Sequence, residues 1–253
     1  MTKQGIIIEE KKDKGAADGK KLWIWIVKYR FVFIVLFIIV QDIIYHTYTS
    51  LGLSGANFLG SGMLILLLIF CVLAVSKDKR SLRNGLLWGG ISMISVWTSL
   101  LFNIWPLSFI YLLFIIYTTG VIIYNVAVSK EINVNIIFGA IAGFLLIGVV
   151  GAAICSSLEL FYPGSFTLTE GMGNYATTFY YFSIITMTSL GYGDITPATD
   201  IARSISAYLV IFGQLYLVIL VAILVGKFIK RSDTKKIEKD IEDLKREIQS
   251  LKK

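Results

Sequence analysis

The fold of this chain can be predicted from one stretch, Thr186-Met187-Thr188-Ser189-Leu190-Gly191-Tyr192-Gly193-Asp194. Gly191 and Gly193 can enter backbone regions that other residues avoid, at little steric cost. A glycine–tyrosine–glycine sequence alone is typical of a turn, so its interpretation depends on the residues to either side.

Apolar segments lie on both sides of this stretch. Residues 174–187 are apolar and aromatic over about the length of a short helix, and Asn174 is suited to its N-cap. A helix that ends at Met187 would direct the partial negative charge of its C-terminus towards the loop, which favours a cation nearby. After the loop, residues 201–228 are long and apolar enough for a membrane span.

With these flanks, the stretch resembles the selectivity filter of tetrameric potassium channels, whose usual form is T-x-T-T-V-G-Y-G-D. In that family, rings of backbone carbonyls replace the water shell of K⁺. The resemblance implies an all-α integral membrane protein with a re-entrant pore helix, assembled as a homotetramer, with K⁺ as the permeant ion and no catalytic cofactor. It assigns the K⁺ filter to Ser189, Leu190, Gly191, Tyr192 and Gly193.

The resemblance also implies residues that support the filter. Asp194 would tie the outer end of the loop to the pore helix, and the ring of Tyr192 would brace the loop from behind. The supporting set comprises Tyr181, Thr186, Thr188 and Asp194.

Composition places the chain in a membrane. The 253 residues are 56% hydrophobic and have a mean hydropathy of +0.73, which is typical of an integral membrane protein with lipid as a partner. Cys71 and Cys155 both fall in apolar segments, where they are expected to be small buried hydrophobes. The net charge is +7, and the charged residues lie at the ends of the spans, as membrane orientation requires. This distribution argues against nucleic acid as a partner.

Six membrane spans are predicted, at residues 31–48, 58–76, 85–102, 107–129, 136–155 and 201–228. Of the 24 Lys and Arg residues, only Arg203 would be on the outer side, which fits a multi-pass cell-membrane protein with both termini in the cytoplasm. The predicted domains are a cytoplasmic tail (1–21), a four-helix domain similar to a voltage sensor (22–129), a pore domain (136–231) and a cytoplasmic coiled-coil tail (232–253). Within the pore domain, the outer helix is 136–155, the pore helix 174–188, the filter 189–193 and the inner helix 201–228.

The first four spans lack the charges of a voltage sensor. In six-span potassium channels, the fourth span carries arginines that move through the membrane field, whereas residues 107–129 contain no charged side chain. We therefore expect little intrinsic voltage dependence. Asp42 and His46 lie four residues apart on one face of the first span. This spacing fits a proton or ligand sensor, a polar face in a water-filled outer crevice, or a pair that bond to each other.

The last span and the tail contain further candidate residues. Gly213 is either a gate hinge, as the resemblance implies, or a packing glycine against the pore helix, and Gln214 either faces the cavity or bonds to a neighbouring helix. The tail has an apolar heptad pattern that predicts a parallel coiled coil, the alternative being a solvated amphipathic helix. The seam residues are Ile237, Ile241, Leu244, Ile248 and Leu251.

The leading functional hypothesis is a potassium-selective channel that conducts passively. Two positions depart from the usual filter pattern: Ser189 replaces threonine and loses the methyl group that restricts the hydroxyl rotamer, and Leu190 replaces valine. A weakly selective cation channel is therefore the first alternative. A non-conducting modulatory subunit, a potassium transporter subunit and a membrane enzyme are further alternatives. Too few residues follow the pore for an ordinary nucleotide- or calcium-binding domain, so gating by such a ligand would need an unidentified regulatory subunit.

Overall fold

The computed structural model describes residues 29–45, 47–51, 56–75, 79–102, 108–129, 133–168 and 175–251. The predicted tail at residues 1–21, His46, the outer turn at residues 103–106 and the N-cap residue Asn174 lie outside these ranges. In chain order, the elements are α1 (Tyr29–Ser50), α2 (Ala56–Val75), α3 (Lys79–Phe102), α4 (Ser108–Val128), α5 (Val134–Phe161), β1 (Phe166–Thr167), α6 (Tyr175–Met187), β2 (Thr196–Pro197) and α7 (Asp200–Leu251).

Four of these helices are long and apolar enough to cross a membrane: α1, α4, α5 and the part of α7 from Asp200 to Ile229. The apolar part of α2, Gly62–Val75, is shorter, and α3 begins with several basic residues. These helices support an all-α, multi-pass membrane protein. The arrangement with six spans remains a prediction.

The chain divides into two compact units, Met1–Ile122 and Ile123–Lys253. In the first unit, the ring of Phe70 on α2 lies 5.1 Å from that of Phe37 on α1, centroid to centroid. On α3, a Cβ atom at Gly89 would lie 2.8 Å from a methyl carbon of Val72, so the glycine allows α2 and α3 to approach closely. Cys71 is fully buried in this unit and Cys155 in the other, and both are free thiols, which confirms their interpretation as small buried hydrophobes.

In the second unit, α6 is held between α5 and α7. The rings of Phe166, Phe179 and Phe182 meet edge to face with centroids 4.9 to 6.4 Å apart, an arrangement that aromatic pairs favour. Gly148 and Gly151 on α5 allow α6 to come close, because Cβ atoms there would overlap the side chains of Ile184 and Ser183. This packing fixes where α6 ends.

Helix α5 is longer than the predicted outer helix at both ends. Asn133 precedes it in an extended conformation, and its side chain accepts a hydrogen bond of 2.9 Å from the backbone N–H of Ile136, as an N-cap does. The helix then continues past Cys155 to Phe161. As a result, Glu159 is inside the last turn of α5 and not in an outer loop.

Helix α7 is continuous over 52 residues, from the predicted inner helix into the predicted tail. At 1.5 Å per residue it is about 78 Å long. Ile237, Ile241 and Leu244 of the tail seam are exposed in the single chain. The backbones of Ile248 and Leu251 are helical, and their side chains lie outside the described part of the structure.

The short strands β1 and β2 form an antiparallel pair, with Phe166 opposite Pro197 and Thr167 opposite Thr196. This pair was not predicted, because two residues are too few to show an alternating pattern. It connects the segment before α6 to the segment after the filter-like loop.

Candidate functional site

The candidate site is the filter-like loop, residues 188–194, which follows α6 directly. Helix α6 ends in a Schellman motif: the N–H of Ser189 donates to the carbonyl of Thr186 (2.9 Å) and the N–H of Leu190 to that of Ile185 (2.9 Å). Ser189 occupies the position after the helix that is usually glycine, with a φ of +60°. For a residue with a side chain this conformation is strained, so the surrounding contacts must hold it in place.

The last four carbonyl groups of α6 all have partners within the described structure. A helix leaves these groups without intrahelical donors. The carbonyl oxygens of Ile184, Ile185 and Thr186 accept from backbone N–H groups of the loop. The carbonyl oxygen of Met187 instead accepts from the side-chain amide of Gln214 on α7, at 3.3 Å. Gln214 therefore completes the C-terminal cap of α6.

The same amide nitrogen of Gln214 lies 3.0 Å from the hydroxyl oxygen of Ser189. One side chain of α7 thus contacts both the end of α6 and the first residue of the predicted filter. Of the two predicted placements of Gln214, the structure shows the bond to a neighbouring helix.

Further along the loop, Gly191 and Gly193 have φ values of +53° and +82°. This left-handed region is open to glycine and disfavoured for residues with a Cβ. Positive φ therefore alternates with ordinary backbone along Ser189, Leu190, Gly191, Tyr192 and Gly193. The unusual backbone conformation of the two glycines could be predicted from the sequence. The positive φ of Ser189 was missed, because serine has no backbone preference that would indicate it.

The outer end of the loop is attached to α6. The hydroxyl of Tyr181 donates a hydrogen bond of 2.7 Å to a carboxylate oxygen of Asp194. This bond raises the pKa of the Tyr181 phenol, so the hydroxyl remains protonated and a donor at neutral pH. Of the other predicted supporting residues, Thr188 bonds through its hydroxyl to the carbonyl of Ile184 at 2.7 Å, and Thr186 is half-buried at the end of α6.

All residues from Thr188 to Asp194 are exposed in the single chain. Tyr192 is 67% exposed, so a single chain leaves most of this side chain uncovered.

Gly213 of α7 lies against the end of α6. A Cβ atom at this position would be 2.5 Å from the carbonyl oxygen and 2.8 Å from the Cβ of Met187. This close approach of Gly213 to Met187 is the contact with the pore helix that a packing role for Gly213 requires. It also brings the next residue, Gln214, within reach of Met187 and Ser189.

Glu159 is a structural residue of the site that the sequence did not reveal. The residue is 6% exposed, and its carboxylate accepts from the N–H groups of Gly164 (2.8 Å) and Phe166 (2.9 Å). The carbonyl of Ser165, between these two residues, accepts from the N–H of Ala198 at 2.8 Å. Glu159 therefore orders the turn that connects α5 to the segment following the loop. An acidic residue at the end of an apolar span was the only available signal.

Two polar contacts join α7 to α5 and to the end of α4. The hydroxyl of Tyr216 donates to the carbonyl of Ala140 on α5 at 2.6 Å, and it packs on Gly143 of the same helix. Further along, the ammonium of Lys227 donates to the carbonyls of Val126 (3.0 Å) and Ala127 (2.9 Å) at the end of α4. A cation at a helix C-terminus is stabilised by the helix dipole.

Comparison with known proteins places the similarity in this part of the chain. Residues 136–230 match a protein family described as ion channel. Probable potassium channel protein 2 of Methanocaldococcus jannaschii is 35% identical over 102 residues, which cover 38% of this chain and 29% of that protein. Two pore potassium channel c of Oryza sativa subsp. japonica is 43% identical over 51 residues, 20% of this chain and 11% of that protein.

The chain spans less than a third of the length of these curated relatives. The matched range begins two residues into α5, contains α6 and the filter-like loop, and ends within α7. The comparisons thus support a relationship of residues 136–230 to ion channels, and of the chain to proteins named as potassium channels.

Proposed function

We propose that this chain is the subunit of a homotetrameric, potassium-selective channel in the cell membrane, which conducts K⁺ passively. The observation that carries the proposal is the loop of residues 188–194. It follows the C-terminus of α6, has positive φ at Ser189, Gly191 and Gly193, and is exposed along its length in one chain. Four such loops around one axis would provide rings of backbone oxygen atoms for a dehydrated cation.

The exposure of α7 supports assembly. Its membrane-spanning part is strongly apolar, yet few of its residues are buried within the single chain, and large side chains such as Phe212 and Val218 are exposed. In a tetramer, neighbouring subunits would cover part of this surface, and a second copy could provide the support behind Tyr192 that one chain lacks. The tail seam of α7 would then extend the contact as a parallel coiled coil.

The second candidate is a weakly selective cation channel. It is favoured by one observation, the serine at position 189 in place of threonine. The two candidates share the pore and differ in the ratio of K⁺ to Na⁺ permeability.

Flux in liposomes tests the proposal. We expect purified protein to pass K⁺ down its gradient but not Na⁺, and Gly191→Ala to abolish the flux, because alanine at a φ of +53° is strained. Gly164→Ala is the matched control, since Gly164 has a φ of +85° in open space outside the loop.

Flux that survives Gly191→Ala, or that Gly164→Ala abolishes equally, would contradict a pore built on this loop. Equal K⁺ and Na⁺ fluxes would favour the weakly selective channel.

A further inference from the structure

We propose that Gln214 is a positioning residue that determines ion specificity by fixing the hydroxyl of Ser189. The proposal rests on the proposed function, because it concerns the side chain of Ser189, the first residue of the predicted filter. It adds a residue from outside the filter to the determinants of selectivity.

The orientation of the Gln214 amide follows from its two neighbours. A backbone carbonyl oxygen can only accept a hydrogen bond, so the amide must present its nitrogen to the carbonyl of Met187. That nitrogen lies 3.3 Å from the Met187 oxygen and 3.0 Å from the Ser189 oxygen. With its two hydrogens, this nitrogen can donate to both oxygen atoms. If the amide were reversed, its own oxygen would face the carbonyl oxygen of Met187, and neither could donate.

The backbone at position 189 explains why the hydroxyl needs an external partner. Threonine would restrict its own rotamer through its methyl group, but a β-branched residue is strongly disfavoured at a φ of +60°. Serine tolerates this backbone better and leaves its hydroxyl free to rotate. A hydrogen bond from Gln214 supplies the restriction that the missing methyl group would have given.

The hydrogen bond leaves the hydroxyl able to bind a cation. A serine oxygen has two acceptor lone pairs and one hydrogen. Gln214 occupies one lone pair, so one remains for K⁺. Since Gly213 brings α7 against Met187, the position of Gln214 is itself set by helix packing, and the Ser189 oxygen is held at a fixed distance from the end of α6.

Bi-ionic reversal potentials in planar bilayers test this role. Gln214→Leu should lower the K⁺ to Na⁺ permeability ratio by about tenfold, the scale of one lost hydrogen bond. Ser189→Ala should lower it as well. Adding Gln214→Leu to Ser189→Ala should change the ratio by less than about twofold, because the hydroxyl on which Gln214 acts is already absent. Gln249→Leu, the same substitution at an exposed tail position, should leave the ratio unchanged.

An unchanged ratio in Gln214→Leu, or additive effects in the double variant, would overturn the proposal. If a variant does not conduct, titration calorimetry of K⁺ against Na⁺ on the purified tetramer replaces the electrical measurement, with the same fold-changes expected and the same results overturning it. A wild-type protein that neither conducts nor binds K⁺ would refute the channel function itself, which separates the two failures.

Discussion

At the scale of single residues, the site depends on polar side chains placed at helix ends. Glu159 is the clearest case, because this buried residue accepts through its carboxylate from two backbone N–H groups in the turn that leads into β1. A buried N–H group that loses its acceptor keeps the full cost of its desolvation. The turn between α5 and β1 therefore depends on both carboxylate oxygens.

We expect Glu159→Gln to destabilise the protein by roughly 1–3 kcal/mol, because the amide NH₂ group would oppose one of these two N–H donors. Thermal unfolding of the purified protein measures the change. Asp200→Asn is the matched control: the Asp200 carboxylate is 98% exposed and pairs only weakly with Arg203, so its effect should be below about 1 kcal/mol. Equal effects of the two substitutions would contradict the role assigned to Glu159.

Part of this residue-level picture could be predicted from the sequence. The resemblance pointed to Tyr181 and Asp194, and the structure brings them together. Glu159 was missed because the predicted outer helix stopped at Cys155, and an acidic residue beyond a span is normally solvated. The extension of α5 to Phe161 places Glu159 where its carboxylate meets the N–H groups of Gly164 and Phe166.

At the scale of elements, the close approach of α6 and α7 determines the geometry of the loop. The sequence could not decide between a hinge and a packing role for Gly213, since both require glycine in an apolar helix. The contact with Met187 depends on where α6 ends, which is fixed by Gly148 and Gly151 on α5 and thus by tertiary packing. Hydrophobic periodicity contains no information about such a distance.

Gly213→Ala should lower the free energy of unfolding by about 1–3 kcal/mol, because the new methyl group would overlap the carbonyl of Met187. Gly226→Ala on the same helix meets no atom within 4 Å and should be neutral or stabilising, as alanine favours helices. Chemical unfolding of both variants provides the measurement. A variant Gly213→Ala with unchanged stability but reduced open probability would favour the hinge.

At the scale of the whole molecule, the two units differ in what they contain. The second unit holds the loop and the matched range, residues 136–230. Helix α4, which begins in the first unit and ends in the second, contains no charged residue over its 21 positions. A helix without charges moves no charge through the membrane field, so we propose that the first four helices act as a structural or regulatory collar.

Macroscopic currents should therefore depend only weakly on voltage. The measurement is the slope of open probability against voltage in patches or bilayers, from which the gating charge follows. A gating charge of several elementary charges per subunit would refute the proposal. The variant Ile116→Arg provides a comparison, because it places one charge at an exposed position on α4.

Because α7 is continuous, the rotation about its axis between Gly213 and the tail seam is fixed. With about 100° of rotation per residue, the centre of the seam formed by Ile237, Ile241 and Leu244 is turned roughly 110° about the helix axis from Gly213. Because no break interrupts the helix, this angle is fixed by the number of residues between them. One inserted residue would rotate the seam by about 100° relative to the loop, whereas seven would restore it to within about 20°. The number of residues between Gly213 and the seam therefore sets the direction that the tail seam faces relative to the loop.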